Sequence, residues 1–160
     1  MALTKSTRNV SDESLALRAG IGDRAWWFYL LVREMEKRGV DADEISIDAI
    51  TEFGKEMAKD YKVKVPGDFL RSLMDPLSVE TFEMEFIEED EEHAVLRFHF
   101  CPLVAKWEAL GLPKEEIQHL CRLARCGDHA RVSNFPEMQL TFNKLIVDGD
   151  GTCDLCVSFR

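Results

Sequence analysis

The feature that most constrains the fold is a change in the spacing of apolar residues near residue 82. Upstream, for example over residues 11–38, the apolar residues recur at roughly helical intervals. Downstream they alternate with polar residues, first in FEMEF at 82–86 and then in VLRFHF at 95–100. The acidic run EEDEE lies between the two stretches and indicates a turn. This alternation predicts an antiparallel hairpin with one buried face.

A second hairpin is predicted at the end of the chain, because the turn-forming sequence DGDG at 148–151 separates two further strand-like runs. Between the hairpins, Pro102 suits the first turn of a helix, and Gly127 is expected to end the following one. The sequence thus predicts a single α+β domain over residues 1–160. Its sheet has about four antiparallel strands with helices packed on one side. The predicted segments are a mainly helical 1–75, a hairpin over 80–100, two helices over 102–127, a loop over 127–137 and a C-terminal hairpin over 138–159.

The charge balance restricts the class of partner. The chain has 30 acidic and 20 basic side chains, for a formal charge of −10. Nucleic acid and anionic membranes require a basic face, so we expect neither as a partner, and a small molecule is favoured. The first ten residues, MALTKSTRNV, lack the apolar region of a secretory signal. A cytoplasmic location is therefore expected, with the five cysteines reduced.

Cys101 is the thiol with the most suggestive position. It follows the alternating strand and precedes Pro102, and a helix N-terminus lowers the pKa of a thiol placed there. If the strand continues to this residue, His99 lies on the same face and is near enough to share a ligand. The alternative is that Cys101 is a small buried apolar residue, which is common for free cysteine and is the favoured interpretation.

Three other groups invite a chemical interpretation. Cys153 and Cys156 form a C-x-x-C, but in a regular strand they point to opposite faces, which argues against a zinc knuckle. Asp128 follows the expected helix end at Gly127, where the helix dipole disfavours an acid, so it is either a cap for the next turn or a functional group. The pair Glu116 and His119 has the spacing of half a metal motif, without a second copy, and is expected on a solvated helix face.

The C-terminal half resembles a known family through a set of short motifs. These are Cys101-Pro102, Trp107, Gly111, Cys121, Asp128 and the run GDGTCDL. Together they resemble the L-2-amino-thiazoline-4-carboxylic acid hydrolases over about residues 95–159. The chain's end, GDGTCDLCVSF, is also similar to the 4-vinyl reductase domain, a small-molecule-binding module. Leu155 stands where an aromatic residue is more typical, and Cys156 is additional.

The resemblance implies hydrolytic opening of a cyclic amidine, in which the ring sulfur leaves. On this hypothesis Cys101 is a nucleophile or ligand, Asp128 holds the amidinium or activates water, and Arg97 pairs with the substrate carboxylate. His99 faces the same substrate, and Cys153 matches the family pattern but backs the site. The resemblance specifies no definite cofactor, and a zinc ion held by Cys101, Cys153 and a histidine is the metal alternative. The competing hypotheses are a non-catalytic small-molecule-binding domain and an acidic interaction protein with a basic partner.

Overall fold

The computed structural model describes residues 2–160, which form six α-helices, one 3₁₀ turn and four β-strands. In chain order these are α1 (Asp12–Lys37), α2 (Ala42–Met57), α3 (Pro66–Arg71), α4 (Pro76–Phe82), β1 (Met84–Glu89), β2 (His93–Phe98), α5 (Pro102–Ala109), α6 (Lys114–Val132), β3 (Met138–Lys144), the 3₁₀ turn (Ile146–Asp148) and β4 (Cys153–Phe159).

The four strands form one antiparallel sheet in the order β1-β2-β4-β3. The two hairpins therefore meet through β2 and β4, where Leu96 pairs with Leu155 and Arg97 pairs with Asp154. Since side chains alternate along a strand, Leu96 and Leu155 face the helices while Arg97 and Asp154 face away. The predicted α+β architecture with an antiparallel sheet is confirmed.

Two apolar clusters join the sheet to the helices and the helices to one another. One cluster packs α3 and the end of α6 onto the sheet through Phe69, Leu70 and Leu96, among others. The other lies among α1, α5 and α6 and is centred on Trp107, whose indole N–H donates to the carbonyl of Ala25 at 2.9 Å. The second cluster extends to the beginning of β4 and so supports the side chains described below.

Helices α2 and α6 cross at very close range because each has a glycine at the contact. A Cβ added at Gly54 would lie 2.4 Å from the carbonyl oxygen of Gly127 and 2.8 Å from the Cβ of Ala130. A Cβ added at Gly127 would lie 3.2 Å from a methyl group of Ile50. Gly127 is therefore a helix-crossing residue, and the prediction that it ends a helix is wrong: α6 continues to Val132. Most of the loop predicted over 127–137 is helical as a result.

Two further helix predictions need correction. Gly20 and Gly22 lie in the middle of the first helical stretch and their low helix propensity predicts a weak point there, but α1 is continuous for 26 residues. Helix α4 was missed, although Asp75 caps it by accepting hydrogen bonds from the amides of Leu77 and Ser78, and Pro76 occupies its first position. As α4 ends at Phe82, β1 begins only at Met84.

The segment before α1 is held against the body by three acidic side chains. The amides of Leu3 and Thr4 donate to the carboxylate of Glu108, and Ser11 donates to Glu80. Glu83 receives hydrogen bonds from the next part of the segment and has a left-handed backbone, with φ of 52°. These contacts place Thr4 beside the start of α5, where its hydroxyl accepts the backbone N–H of Cys101 at 3.3 Å.

Candidate functional site

Three cysteines from separate elements come together between the sheet and the helices. Cys101 is the N-cap residue of α5, Cys121 lies on α6, and Cys153 is the first residue of β4. All three pack against the Trp107 cluster, and a charge on Cys121 or Cys153 would repel a thiolate at Cys101. The three are free thiols. The fold therefore brings three thiol groups together beside the Trp107 cluster.

The surroundings of these cysteines favour the thiol over the thiolate. Burial, with a smaller contribution from the neighbouring Cys121 and Cys153, raises the pKa of Cys101 to about 12. The amides of Val104 and Leu103 at the start of α5 act in the opposite direction, but they do not outweigh burial. Burial likewise raises the pKa of Cys121 to about 11 and that of Cys153 to about 12. The expectation that the helix N-terminus makes Cys101 an acidic thiol is therefore wrong, because desolvation is the larger effect.

Helix α6 adds two charged side chains to this group. Cys121, Arg125 and Asp128 are spaced four and three residues apart, which places them on one face of the helix. The charge of Arg125 opposes the rise in pKa at Cys121, Cys153 and Asp128, so it lies near all three. We call Arg125 and Asp128, together with Cys101, Cys121 and Cys153, the α6 site.

Asp128 is an acid with incomplete charge compensation. Burial raises its pKa, and the charges of Arg131, His129 and Arg125 only partly offset this. Its closest cation is Arg131 at 3.9 Å, the outer limit of an ion pair, and 35% of its side-chain surface remains open. A cation from outside the chain would therefore be stabilised beside Asp128.

Arg125 is a cation without a carboxylate partner at hydrogen-bond distance within residues 2–160. Its guanidinium lies 5.2 Å from the ring centroid of Phe142 on β3, and its buried Nε has no hydrogen-bond partner in the described chain. The buried Nε of Arg131 and hydroxyl of Thr152, which precedes Cys153, are likewise unsatisfied among these residues. Buried polar atoms normally have partners, so an ordered water or a ligand would complete the hydrogen bonds of these three groups.

The structure places Arg97 and His99 on the other face of the sheet. Arg97 forms two hydrogen bonds with Asp154, at 2.6 and 2.7 Å, and this pairing raises the pKa of Arg97 and lowers that of Asp154. His99 lies 2.8 Å from a carboxylate oxygen of Glu85. The expectation that Cys101 shares a face with His99 is wrong, because β2 ends at Phe98 and the chain turns Cys101 towards the helices. The predicted site residues are thus divided between two faces.

The remaining cysteine and metal predictions are resolved by the same geometry. Cys153 packs on the helix-facing side of β4, whereas Cys156 pairs in register with Val95 and Thr141 on the outer side, so their predicted opposite orientation is confirmed. His119 lies 2.6 Å from Asp43. Within residues 2–160, no three His, Cys, Asp or Glu side chains are arranged to hold a metal ion.

Sequence reasoning missed Arg125. A signal was present, because Arg125 is four residues after Cys121 and three before Asp128, and this spacing defines one helix face. The signal was hidden by the wrong helix end at Gly127, which separated Asp128 from the other two. Within residues 2–160, no helix has the length and hydropathy needed to span a membrane.

The fold is that of a small α+β protein in which helices and an antiparallel sheet bring three thiols close to an arginine and an aspartate of α6. The chain matches the model of the L-2-amino-thiazoline-4-carboxylic acid hydrolase family over residues 21–157, and it belongs to that family. A comparison with curated proteins gave no match. Among solved structures, it is similar to a trafficking protein particle complex subunit 3 from Naegleria fowleri, crystallised covalently bound to palmitic acid. The identity is 14%, the match covers 94% of this chain and 84% of that one, and the TM-score is 0.39.

Proposed function

We propose that the chain hydrolyses a cyclic amidine that carries a carboxylate, of the L-2-amino-thiazoline-4-carboxylate type, at the α6 site. The observation that carries the proposal is the pair Arg125 and Asp128, a cation and an acid one helical turn apart, each without a full partner in the described chain. Such a substrate has one carboxylate and, when protonated, one amidinium. Its two charges complement the two side chains, which is the arrangement expected of a specific polar site.

In this proposal Arg125 takes the carboxylate-binding role that the sequence suggested for Arg97. Arg97 already donates from Nε and Nη2 to the two carboxylate oxygens of Asp154, whereas the Nε–H of Arg125 has no partner in the described chain. A guanidinium binds a carboxylate through two parallel hydrogen bonds and so fixes the orientation of the ring. Arg97 and His99 then act indirectly, by holding β2, β4 and β1 in register.

Asp128 performs the acid–base step in this proposal. In its ionised form it holds the amidinium and accepts a proton from the attacking water. The water oxygen bonds to the ring carbon between nitrogen and sulfur, the carbon–sulfur bond breaks, and the sulfur leaves as a thiol after taking up a proton. The product is an N-carbamoyl amino acid with a free thiol. A carboxylate whose pKa is raised by burial is a stronger base than an ordinary aspartate.

Cys101 and Cys153 line the site as neutral thiols in this proposal. With pKa values of about 12, both remain protonated near neutral pH, and a thiolate attack would first require removal of a tightly held proton. Water activated by Asp128 is therefore the better supported nucleophile, and Cys101→Ser tests the other route. We expect this variant to retain turnover within about tenfold, whereas loss of all turnover would return the nucleophilic role to Cys101.

The test uses the purified chain with L-2-amino-thiazoline-4-carboxylate and follows the carbamoylated thiol product by mass spectrometry. Arg125→Gln should raise KM and lower kcat/KM by at least about a hundredfold, because a buried charge-assisted pair is lost. The matched control is Arg122→Gln, one turn earlier on α6, where the arginine is exposed and pairs with Asp43. Absence of product with the wild-type chain, even where the compound binds, would contradict hydrolysis and support the non-catalytic binding module instead.

A further inference from the structure

One exposed face of α1 contributes nothing to the α6 site and carries both apolar and charged side chains. Residues Glu13, Gly20, Trp27 and Glu34 recur every seven positions, and so do Leu17, Arg24, Leu31 and Arg38. Residues seven positions apart lie on the same side of a helix, so these eight residues form one strip of surface, which we call the seam; Leu17, Trp27 and Leu31 are its apolar members. The seam lies away from Ile21, Ala25 and Val32, which bury α1 against the rest of the chain.

The seam contains large apolar side chains that are unusually open. Trp27 is 69% exposed and Leu31 is 51% exposed. Gly20 is exposed as well, and a Cβ added there would meet nothing within 4 Å. Trp27 and Leu31 are one helical turn apart, and together they form an exposed apolar surface of the kind that mediates protein association.

When two copies of the seam are placed side by side in opposite directions, oppositely charged side chains of the two copies come to lie opposite each other. In an antiparallel pair of α1 helices related by a two-fold axis, residues whose numbers add to the same total lie opposite each other. One such register brings Glu13 opposite Arg38, Gly20 opposite Leu31, and Arg24 opposite Trp27 of the second copy. These contacts are an ion pair, a side chain over a glycine and a cation–π contact, and each occurs twice by symmetry. The fourth layer sets Leu17 opposite Glu34, whose carboxylate stays with Lys37 at 2.7 Å on its own helix.

The parallel arrangement is disfavoured by the same residues. It would place each charged position opposite its own copy, so that Glu13, Arg24, Glu34 and Arg38 would all meet like charges. The antiparallel register instead puts Arg24 and Trp27 nearest the symmetry axis, and these two residue types supply much of the binding energy in protein interfaces. The seam from Glu13 to Arg38 is about 38 Å long at 1.5 Å per residue. The charges of the seam thus favour the antiparallel over the parallel pairing of two copies.

We propose that the exposed seam of α1 is a dimerisation surface, on which a second copy of this chain docks with its own α1 antiparallel. The proposal rests on α1 alone and is independent of the proposed hydrolase activity. It predicts that the two α6 sites of a dimer act separately, because α1 presents its opposite face to the body of its own chain.

Analytical ultracentrifugation of the full chain tests the proposal. The wild type should sediment as a dimer at micromolar concentration, and Leu31→Glu should weaken the dimer by at least about tenfold. The matched control is Leu15→Glu, since Leu15 is 52% exposed on the same helix but lies outside the seam, and this variant should leave the dimer intact. A wild-type chain that is monomeric up to about 100 μM, or equal effects of the two substitutions, would overturn the proposal.

Charge reversal tests the orientation and separates weakened docking from a damaged helix. Glu13→Arg and Arg38→Glu should each weaken the dimer by about tenfold or more, because two ion pairs per dimer become repulsive. The double variant restores the pairing across the axis and should return to within about threefold of the wild type. A parallel dimer would not respond to the single reversals in this way. Single reversals without effect, or a double variant no tighter than either single one, would overturn the antiparallel register.

Discussion

The guanidinium of Arg18 lies 3.0 Å from the carboxylate of Glu83, whose side chain has no exposed surface. Ser6 and Thr7 complete the set of donors to this carboxylate, and Arg18 also stacks 4.0 Å above the ring of Phe100. Burial alone would raise the pKa of Glu83, but these hydrogen bonds outweigh it and lower the pKa to about 2. A buried charge with this many donors joins the N-terminal segment, α1 and the start of β1.

Glu83→Gln should lower the free energy of unfolding at pH 7 by about 3 kcal/mol, because it removes the charge around which the donors are arranged. The ordinary pKa of this group is 4.5, so its stabilising effect is complete above that pH and is lost as the pH falls towards about 2. The difference in the free energy of unfolding between wild type and variant should therefore shrink towards zero as the pH falls to about 2. Urea unfolding at several pH values measures it, with Glu85→Gln on the exposed side of β1 as the control. A gap that stays constant from pH 7 to pH 2 would contradict the assignment.

Gly54→Ala should destabilise the chain by about 2 kcal/mol, although alanine favours a helix, because the new methyl group would press on the backbone of Gly127. Gly127→Ala is the matched comparison. Its methyl group would meet only a side-chain methyl of Ile50 at 3.2 Å, which can move by a few tenths of an ångström. We expect a clearly smaller loss there, measured by the shift in thermal midpoint. Equal effects of the two substitutions would mean that the crossing is looser than the structure describes.

Asp128→Asn should stabilise the fold at neutral pH while it removes turnover. The folded chain holds the Asp128 proton more tightly than the unfolded chain does, so ionisation of this residue costs stability as the pH rises above 3.8. The variant avoids that cost at pH 7 and gains nothing below pH 3.8. Thermal unfolding from pH 3 to pH 8 measures the difference. If the variant is less stable than the wild type at pH 7, Asp128 is a structural residue, and its part in the α6 site is refuted.

Cys101 should resist alkylation at pH 7.5, because a thiol with a pKa of about 12 is almost entirely protonated, and the N-terminal segment packs beside it through the Thr4 hydroxyl that accepts the Cys101 backbone N–H. Mass mapping after iodoacetamide treatment should show slow labelling of Cys101 in the native chain and full labelling after denaturation. Deletion of residues 2–7 should raise the native rate. Rapid labelling of Cys101 in the intact chain would argue for an activated thiol and against the water route.

The sequence predicted the sheet well because its signals are local. Alternation around Phe86 and Leu96 and the glycines of the DGDG turn determine the hairpins through neighbouring residues alone. The end of α6 was mispredicted because the conformation of Gly127 depends on Gly54, a residue far away in sequence that lies opposite it in the fold. A glycine near a helix end resembles a cap until its packing partner is known.

The difference between local signals and long-range contacts also explains which parts of the candidate site could be predicted from the sequence. Cys101, Cys153 and Asp128 were singled out by motif, but their pKa values depend on burial, which no local pattern reports. Arg97 resembled a ligand-binding residue until its register partner was known, since Asp154 is 57 residues away and lies directly opposite it. Contacts between residues distant in sequence therefore determine that Arg97 has a carboxylate partner while Arg125 has none among the described residues.

The glycine contact between α2 and α6 also has a mechanical consequence. Since the two backbones touch at Gly54 and Gly127, α6 cannot slide or roll without moving α2, and Asp128 follows Gly127 directly. A substitution that displaces α2 at Gly54 is therefore expected to move the backbone directly beside Asp128. Helix α2, which contributes no side chain to the α6 site, thus helps to fix the position of the Asp128 carboxylate.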